Sequence, residues 1–242
     1  MFKDMVQDFS KNDPFGNAII DFEENRIPKI IRVSSDLCDD DELPIDYLFR
    51  TFDGMPAVEK KALELCKGKV LDAGAGAGAH LKILKEKGFS VFALDVSPGA
   101  IAHLKKYDIP CALSPIQNFE TEERYDTIIL MMNGIGISEK LEALESFLSK
   151  CKSLLSESGQ ILLDSTDIKY LYEDENDSLW IDLNSSYYGE FQFQMHFNGE
   201  SGPFFNWLYV DFETLKTHAK MAGLSCEKIF EEGNHYLSKL TP

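Results

Sequence analysis

The sequence VLDAGAGAGAH at residues 70–80 joins a short apolar segment to a run of three alternating glycines. Glycine is needed where the chain turns tightly from a strand into a helix and where a ligand lies against bare backbone. A helix that starts behind such a loop points free N–H groups and the positive end of its dipole at an anionic group. The stretch therefore predicts a strand, a glycine-rich loop and a helix that border a ligand.

Strand and helix patterns alternate on both sides of this loop. The predicted strands are 69–73, 90–95, 109–113, 125–132 and 160–164, and the predicted helices are 79–87, 98–107 and 139–155. Such alternation forms β-α-β units with parallel strands. The short turn Glu232-Gly233 joins two further strands, 225–231 and 234–240, as an antiparallel hairpin. The expected fold is α/β, a doubly wound, mostly parallel sheet with helices on both faces and a terminal antiparallel hairpin.

Two regions lie outside this core pattern. Residues 1–56 show helices and loops without a strong strand, which predicts an N-terminal helical lid. Residues 57–242 then form the ligand-binding domain, and aromatic segments within it predict an inserted strand pair at about 186–210. The acid-rich segments 36–42 and 173–177 are expected to be solvated, the first as a loop or as the start of a helix.

A carboxylate follows the glycine loop at a spacing that is informative. Asp95 ends the second predicted strand, about 20 residues beyond the loop, where a carboxylate can accept hydrogen bonds from both hydroxyls of a ribose. Loop and acid together predict an adenosine-like ligand at the carboxyl ends of the first two strands. The alternative, a glycine turn that serves only helix packing, is weakened by the acid and by the β-α-β context.

Two kinds of adenosine ligand fit this pattern. Gly74-x-Gly76-x-x-Ala79 satisfies the dinucleotide fingerprint, so an NAD(P)-dependent oxidoreductase is one alternative. However, Asp72 before the G-x-G-x-G loop resembles the signature of class I S-adenosylmethionine-dependent methyltransferases, and Val91–Ser97 resembles the second motif of that family. The closing helix and hairpin are similar to the reversed seventh strand of the family. The resemblance covers about residues 57–240 and implies methyl transfer from S-adenosylmethionine (SAM).

The resemblance also implies a cofactor site. Its expected residues are Asp72, Gly74, Ala75, Gly76, Gly78, Asp95, Val96, Ile116, Gln117 and Asn133. In this arrangement Asp95 holds the ribose and Val96 flanks the adenine, while Asp72 meets the methionine amino group or braces the loop. Family members often carry an acid near the adenine amine, after the third strand. Here residues 114–119 read SPIQNF instead, so Ile116 with Gln117 or Asn118 is expected at the adenine.

Catalysis of methyl transfer can rest on positioning, and a base is needed only if the nucleophile arrives protonated. The catalytic candidates are Asn133, in the loop after the fourth strand, and His196, in the aromatic segment Phe191–Phe197. Asn133 can equally be a turn residue. Period-2 alternation predicts that His196 lies with Gln192 and Gln194 on a solvated face.

Three further side chains have two interpretations each. Arg50 could pair with the methionine carboxylate, although a surface ion pair is the simpler expectation. His80 could lie near the same carboxylate or be an exposed residue of the first helical turn. Trp207 could cover the acceptor or belong to the core. His103, His218 and His235 show no partner in the sequence and are interpreted as structural.

Composition narrows the partners. The net charge of −17 disfavours nucleic acid, because binding to phosphates relies on Lys and Arg. The five cysteines form no C-x-x-C pair and predict neither zinc nor disulfides. A cytoplasmic enzyme with a small-molecule acceptor, and with no membrane partner, is expected. Against the oxidoreductase stand the missing second nucleotide-binding half and the missing Tyr-x-x-x-Lys pair. A non-catalytic SAM-binding protein is a third alternative.

Overall fold

The computed structural model describes residues 12–172 and 186–242. Within these ranges the strands are β1 (Ile30–Ser35), β2 (Asp41–Pro44), β3 (Lys69–Ala73), β4 (Ser90–Asp95), β5 (Cys111–Leu113), β6 (Tyr125–Leu130), β7 (Leu155–Thr166), β8 (Glu190–Phe197), β9 (Glu200–Leu208), β10 (Ser225–Glu232) and β11 (His235–Thr241). The α-helices are α1 (Pro14–Asn25), α2 (Ala57–Leu65), α3 (Ala79–Glu86), α4 (Pro98–Lys106), α5 (Leu141–Ser153) and α6 (Phe212–Met221).

The main sheet has seven strands in the order β10-β11-β7-β6-β3-β4-β5. The pairs β3–β4, β4–β5, β3–β6 and β6–β7 are parallel, while β11 is antiparallel to both β7 and β10. This confirms the α/β class, the mostly parallel sheet and the terminal antiparallel hairpin. The strand order changes direction between β3 and β6, and ligands of open α/β sheets bind outside the carboxyl ends of the strands at such a switch point.

The central strands are buried on both faces, as their apolar sequences require. Consecutive side chains of a strand point to opposite faces, so Ile128 and Ile129 of β6 enter two different apolar clusters. The first cluster includes Phe147 of α5, and the second includes Leu84 of α3. Helices therefore cover both faces of the sheet in the described chain, and the carboxyl edge of the sheet is left for a ligand.

A second, antiparallel sheet has the order β2-β1-β8-β9. It joins strands from the amino-terminal region to the predicted strand pair at 186–210, which the structure confirms as β8 and β9. In the register Arg32 of β1 faces His196 of β8, and Phe193 of β8 faces Phe205 of β9. Helix α1 packs beside this sheet through Ala18 and Ile19, in one apolar cluster with Phe197.

The prediction of an N-terminal lid made of helices alone was therefore wrong. Residues 12–56 contribute α1 but also β1 and β2, and β2 includes part of the acid-rich segment 36–42. Strand β1 is short, and only Ile31 is fully buried. It pairs with β2 on one side and, on the other, with β8, which is remote in the sequence. The local pattern alone did not reveal this pairing. The acidic segment 173–177 lies outside the described residues.

Two predicted boundaries also changed. The helix expected at 139–155 spans Leu141–Ser153, and the strand expected at 160–164 extends over Leu155–Thr166. A register shift between Tyr125 and Thr127 lets the early part of β7 pair with the start of β6 before the regular ladder begins. None of the described helices is long and apolar enough to cross a bilayer.

Candidate functional site

The glycine loop follows β3 and leads into α3 at the carboxyl edge of the main sheet. Gly74, Gly76 and Gly78 have φ values of +85°, +53° and +73°, a region that favours glycine. The N–H groups of Gly74 and Ala75 donate to the carbonyl of Leu94 at 2.8 and 3.0 Å, which fastens the loop to the end of β4. The loop therefore presents bare backbone at the switch point, as its sequence predicted.

Asp95 ends β4 directly beside this loop. Its carboxylate accepts hydrogen bonds from the N–H of Gly76 at 2.8 Å and from the N–H of Ser97 at 2.9 Å. Burial raises the pKa of Asp95 to about 6, the two backbone bonds oppose this shift, and the nearby Asp13 carboxylate adds to it. A carboxylate has about four acceptor positions, so Asp95 can brace the loop and still accept ribose hydroxyls.

A cavity of about 170 Å³ opens beside Asp95. Its lining includes the expected residues Gly74, Asp95, Val96, Ile116 and Gln117. The Gln117 side chain donates from Nε2 to the carbonyl of Ile137 at 2.9 Å. Its Oε1 atom is buried and accepts no hydrogen bond from any residue that the structure describes. This orphaned acceptor suits a ligand donor such as an amino group.

A buried ionic cluster lies on the other side of the glycine loop. Arg50 contacts Glu59 through Nε at 3.1 Å and through Nη2 at 2.5 Å, and both side chains are almost fully buried. His80 Nε2 lies 3.0 Å from the same Glu59 oxygen, while His80 Nδ1 lies 3.8 Å from Asp72 Oδ2. The expected surface ion pair of Arg50 is thus a buried one, and His80 is not the exposed residue of the alternative interpretation.

The cluster keeps His80 charged. Burial alone would lower the pKa of the imidazole, but the Asp72 and Glu59 carboxylates outweigh it and raise this pKa to about 9. Asp72 Oδ2 is buried and lies beyond hydrogen-bond distance of its described neighbours. Among the described residues, neither Asp72 nor Gly78 lines the two main cavities, so both expected cofactor residues lie behind the surface of the loop.

A larger cavity of about 650 Å³ meets the smaller one at Gly74. Its floor includes the loop backbone and the side chains of Arg50, His80 and Asn133. Its roof is one face of the second sheet and presents Val33, Phe191, Phe193, Met195, Phe205, Trp207 and Tyr209. Its mouth is lined by residues 38–41. Because β1 and the hairpin of β8 and β9 supply the roof, two remote segments of the chain close over the glycine loop.

The two catalytic candidates fall in different places. Asn133 lines the larger cavity with φ +55°, and its Oδ1 accepts a hydrogen bond from the Thr166 hydroxyl at 2.8 Å. His196 contacts the hydroxyls of Ser34 and Ser201 at 2.8 Å each and lines neither of the two cavities. As alternation predicted, its face of β8 points away from the cavity.

Trp207 lies where the two cavities meet and lines both. A Cβ atom on Gly136 would lie 2.1 Å from its ring, so the indole packs directly on the backbone of the loop after β6. Trp207 therefore borders both cavities, and glycine at position 136 gives the indole its space.

Sequence reasoning missed several residues of this region. Asp13 caps α1 through the N–H of Gly16 at 2.8 Å and also accepts from the Ser97 hydroxyl at 2.7 Å and the N–H of Gly99 at 2.9 Å. It thereby joins the lid helix to the loop after Asp95. Because Ser97 and Gly99 are remote from Asp13 in the sequence, the local sequence shows an ordinary helix-cap pattern and no sign of these contacts.

Two more acids were missed. Glu139 is buried, lines the smaller cavity and has φ +69°, while the N–H of Lys140 bonds to the carbonyl of Ser138 at 2.8 Å across a strained γ-turn. Asp164 is fully buried and lies 2.8 Å from Nε2 of His235, a histidine for which the sequence gave no partner. This pair raises the pKa of His235. The motif pattern marked neither acid.

The comparisons with known proteins agree with this geometry. A family model described as a methyltransferase domain matches residues 70–159. No curated protein matches the chain. The structure is similar to a SAM-dependent methyltransferase from Bacteroides fragilis, solved in complex with S-adenosyl-L-homocysteine, with 39% sequence identity and a TM-score of 0.89. That similarity covers 96% of this chain and 95% of the other.

The chain belongs to the family of SAM-dependent methyltransferases. The predicted methyl donor is thereby confirmed, and the comparisons give no support to the oxidoreductase or to the non-catalytic alternative. More distant structures share the fold alone. The CcbJ methyltransferase from Streptomyces caelestis matches at 13% identity and TM-score 0.59, and the similarity covers 78% of this chain and 94% of the CcbJ chain. DesVI from Streptomyces venezuelae matches at 16% identity and TM-score 0.54, covering 81% and 92%.

Proposed function

We propose that this methyltransferase acts on a small molecule that is enclosed in the larger cavity, while the smaller cavity holds the adenosine part of SAM. One observation carries the proposal: Gly74 of the glycine loop lines both cavities, as do Phe15, Met195, Phe205 and Trp207, so the two cavities adjoin one another. A donor with its nucleoside in one cavity and its sulfur at this junction would face an acceptor in the other.

The residues of the smaller cavity fit an adenosine. Asp95 accepts the ribose hydroxyls, Val96 and Ile116 pack on the adenine, and Gln117 Oε1 accepts a hydrogen bond from the adenine amine. The unpartnered, buried Oε1 atom supports the last assignment, because a buried acceptor without a partner costs free energy that a ligand donor recovers. Gln117 thus takes the place of the acidic residue expected from the family.

The methionine end fits the ionic cluster. Gly74, Ala75 and Gly76 border this part of the donor with bare backbone, and Arg50 and His80 lie beside it as cations for the carboxylate. The buried Asp72 Oδ2 atom, which is free of hydrogen bonds, can receive the amino group through a water molecule or brace the loop once the donor is bound. Asn133 lines the same cavity, is anchored by Thr166, and orients the acceptor.

The mechanism requires mainly positioning and exclusion of water. When bound, SAM supplies a methyl group on a sulfonium, which is already a good leaving group. The chain encloses the junction between the glycine loop below and Trp207 above. Well-oriented reactions gain about 7–11 kcal/mol from such pre-organisation. We assign no proton-transfer role to His196, whose side chain is bonded to Ser34 and Ser201.

A small metabolite suits a cavity of this size better than a macromolecule. The roof of β1, β8 and β9 leaves a cavity of about 650 Å³, within the usual range of about 300–1,000 Å³ for small-molecule sites. The net charge of −17 disfavours a nucleic-acid substrate. A cytoplasmic location, and residues 57–242 as the SAM-binding domain, remain part of this proposal.

The proposal is tested with methyl-labelled SAM and an extract of the producing cells, split by ultrafiltration into metabolites and macromolecules. We expect label to enter the metabolite fraction with the natural protein, and far less label with Asp95→Ala. Transfer to protein or nucleic acid, or to neither fraction, would contradict a small-molecule acceptor. Binding of S-adenosylhomocysteine, measured by calorimetry on the same samples, separates a missing donor site from a wrong acceptor class.

A further inference from the structure

The roof of the larger cavity is a continuous surface of five aromatic rings. Phe193 stacks on Phe191 with ring centroids 5.7 Å apart and lies 6.0 Å from Phe205, which meets Trp207 edge-on at 6.1 Å. Tyr209 meets Phe191 edge-on at 5.6 Å. The faces of aromatic rings carry negative potential and attract a cation within about 6 Å of the centroid. This aromatic surface is larger than contact with the transferred methyl group alone requires.

Among the described residues around the cavity, the charges that a ligand can reach are negative. Asp39–Asp41 line the mouth, and one of these acids is paired with Arg32 at 3.1 Å. The cations that line the described cavity are Arg50 and His80, and both are already paired with Glu59. An anionic acceptor would therefore meet repulsion at the mouth and no uncommitted cation within, whereas a cationic one would be attracted.

The cavity also lacks a strong base among the residues described. His80 is protonated at neutral pH, because the Asp72 and Glu59 carboxylates outweigh its burial and raise its pKa to about 9. Burial raises the pKa of Tyr209 to about 12, so its hydroxyl stays neutral. Carboxylates are weak bases toward an alcohol. An alcohol would thus attack poorly, and the site favours an acceptor that is nucleophilic by itself.

We infer that the acceptor is an amine carried on an apolar or aromatic group, which the aromatic roof and the acidic mouth recognise as a cation. This inference rests on the proposed function, since it assigns chemistry to the same cavity. Each observation disfavours a different competitor. The aromatic rings favour an acceptor with an apolar group, and the acids at the mouth disfavour anions. The absence of a strong base among the described lining residues disfavours alcohols.

The reaction balances without any further reactant. The acceptor binds as an ammonium ion and first releases one proton to water at the mouth. The resulting free amine uses its nitrogen lone pair to form a bond to the methyl carbon, and the carbon–sulfur bond breaks with its electron pair going to sulfur. The positive charge moves from sulfur to nitrogen, so the total charge is unchanged in the transfer step. The aromatic roof faces positive charge before and after the transfer.

Calorimetry on protein saturated with S-adenosylhomocysteine tests this inference with three probes that share a benzyl group. These are the cation benzyltrimethylammonium, the neutral benzyl alcohol and the anion phenylacetate. We expect the cation to bind at least about fivefold more tightly than either competitor. Equal or tighter binding of the neutral or anionic probe, or undetectable binding of the cation, would overturn the inference.

A matched pair of variants tests the acidic mouth. Asp41→Asn and Glu42→Gln each remove one acid from neighbouring positions of β2, but Asp41 lines the cavity and Glu42 does not. We expect Asp41→Asn to weaken binding of benzyltrimethylammonium about twofold to fivefold, the range of one exposed charge pair. Glu42→Gln should leave it unchanged, and an equal effect of both variants would count against recognition at the mouth.

The same titrations separate two kinds of failure. If S-adenosylhomocysteine itself does not bind, the proposed donor site is wrong, and the amine inference, which rests on that site, falls with it. If S-adenosylhomocysteine binds and the cation shows no preference, the donor site stands and the amine assignment falls.

Discussion

The two ends of the site are built in different ways. The nucleoside end comes from the carboxyl ends of consecutive strands of one sheet, and backbone groups such as Gly76 N–H shape it around Asp95. The acceptor end comes from β1, β8 and β9, which are remote in sequence and present side chains such as Phe193 and Trp207. The shape of the nucleoside end depends on backbone groups, whereas the shape of the acceptor end depends on which side chains share one face of a sheet.

The largest expected effect is at the nucleoside end. Asp95→Ala removes up to two hydrogen bonds to a charged acceptor, each worth about 1.5–3 kcal/mol, so affinity for S-adenosylhomocysteine should fall about 100-fold by calorimetry. Asp53→Ala, an exposed acid outside both main cavities, should bind normally. Since Asp95 also braces the loop, the melting temperature without ligand is measured alongside. Unchanged affinity would refute the ribose assignment.

A second prediction concerns the buried charges at the methionine end of the donor site, where Arg50, Glu59 and His80 form the ionic cluster. The pKa of His80 is raised from an ordinary 6.5 to about 9, so its contribution to stability is complete below pH 6.5 and is lost as pH rises through 9. This loss should reach about 3 kcal/mol of unfolding free energy. Denaturant titrations at several pH values should show a steeper decline for the natural protein than for His80→Gln. Parallel curves would contradict the charged cluster.

The third prediction separates the two ends directly. Phe193→Ala removes a ring from the roof and should lower the rate of methyl transfer to the metabolite fraction about tenfold, since truncation of an aromatic contact costs 1 kcal/mol or more. Affinity for S-adenosylhomocysteine should change less than about twofold. Phe204→Ala, on the opposite face of the same sheet and 64% exposed, is the control. If Phe193→Ala lowered the transfer rate and the affinity for S-adenosylhomocysteine by the same factor, the donor and acceptor ends of the site would not be separate.

The smallest effect is expected at the adenine. Gln117→Leu keeps the shape of the side chain but removes Oε1, so affinity for S-adenosylhomocysteine should fall about fivefold, the value of one neutral hydrogen bond. Asn118→Leu, the exposed neighbour that lines neither main cavity, provides the control. Loss of affinity in the control alone would move the adenine contact to Asn118, the other residue that the sequence favoured.

The same contrast explains how far the sequence could be interpreted. The glycine loop, Asp95 and the alternating strands have local physical requirements, such as positive φ at Gly74, and these remain visible in one sequence. The main sheet and its antiparallel hairpin were predictable for that reason. The strands of the lid were not, because Ile30–Ser35 carries a weak local strand pattern and half of its pairing is with the remote segment Phe193–His196.

Residues of the site that act through remote partners were equally hidden. Asp13 joins α1 to the loop after Asp95, and Asp164 pairs with His235 across two strands of the sheet. Each of these acids looks like an ordinary polar residue in its local sequence. Glu139 carries a strained backbone conformation that only the structure could reveal. Long-range geometry therefore marks these residues as worth mutating, whereas the motif marked only the loop and its acid.

A crystal structure with bound S-adenosylhomocysteine tests the central claim, that two cavities meeting at Gly74 divide donor from acceptor. We expect the ribose hydroxyls to bind the Asp95 carboxylate and the adenine to lie beside Gln117. The sulfur atom should lie at Gly74, open toward the aromatic roof of Phe193 and Trp207. A nucleoside lying among those rings, or a sulfur atom shut off from the larger cavity, would contradict it.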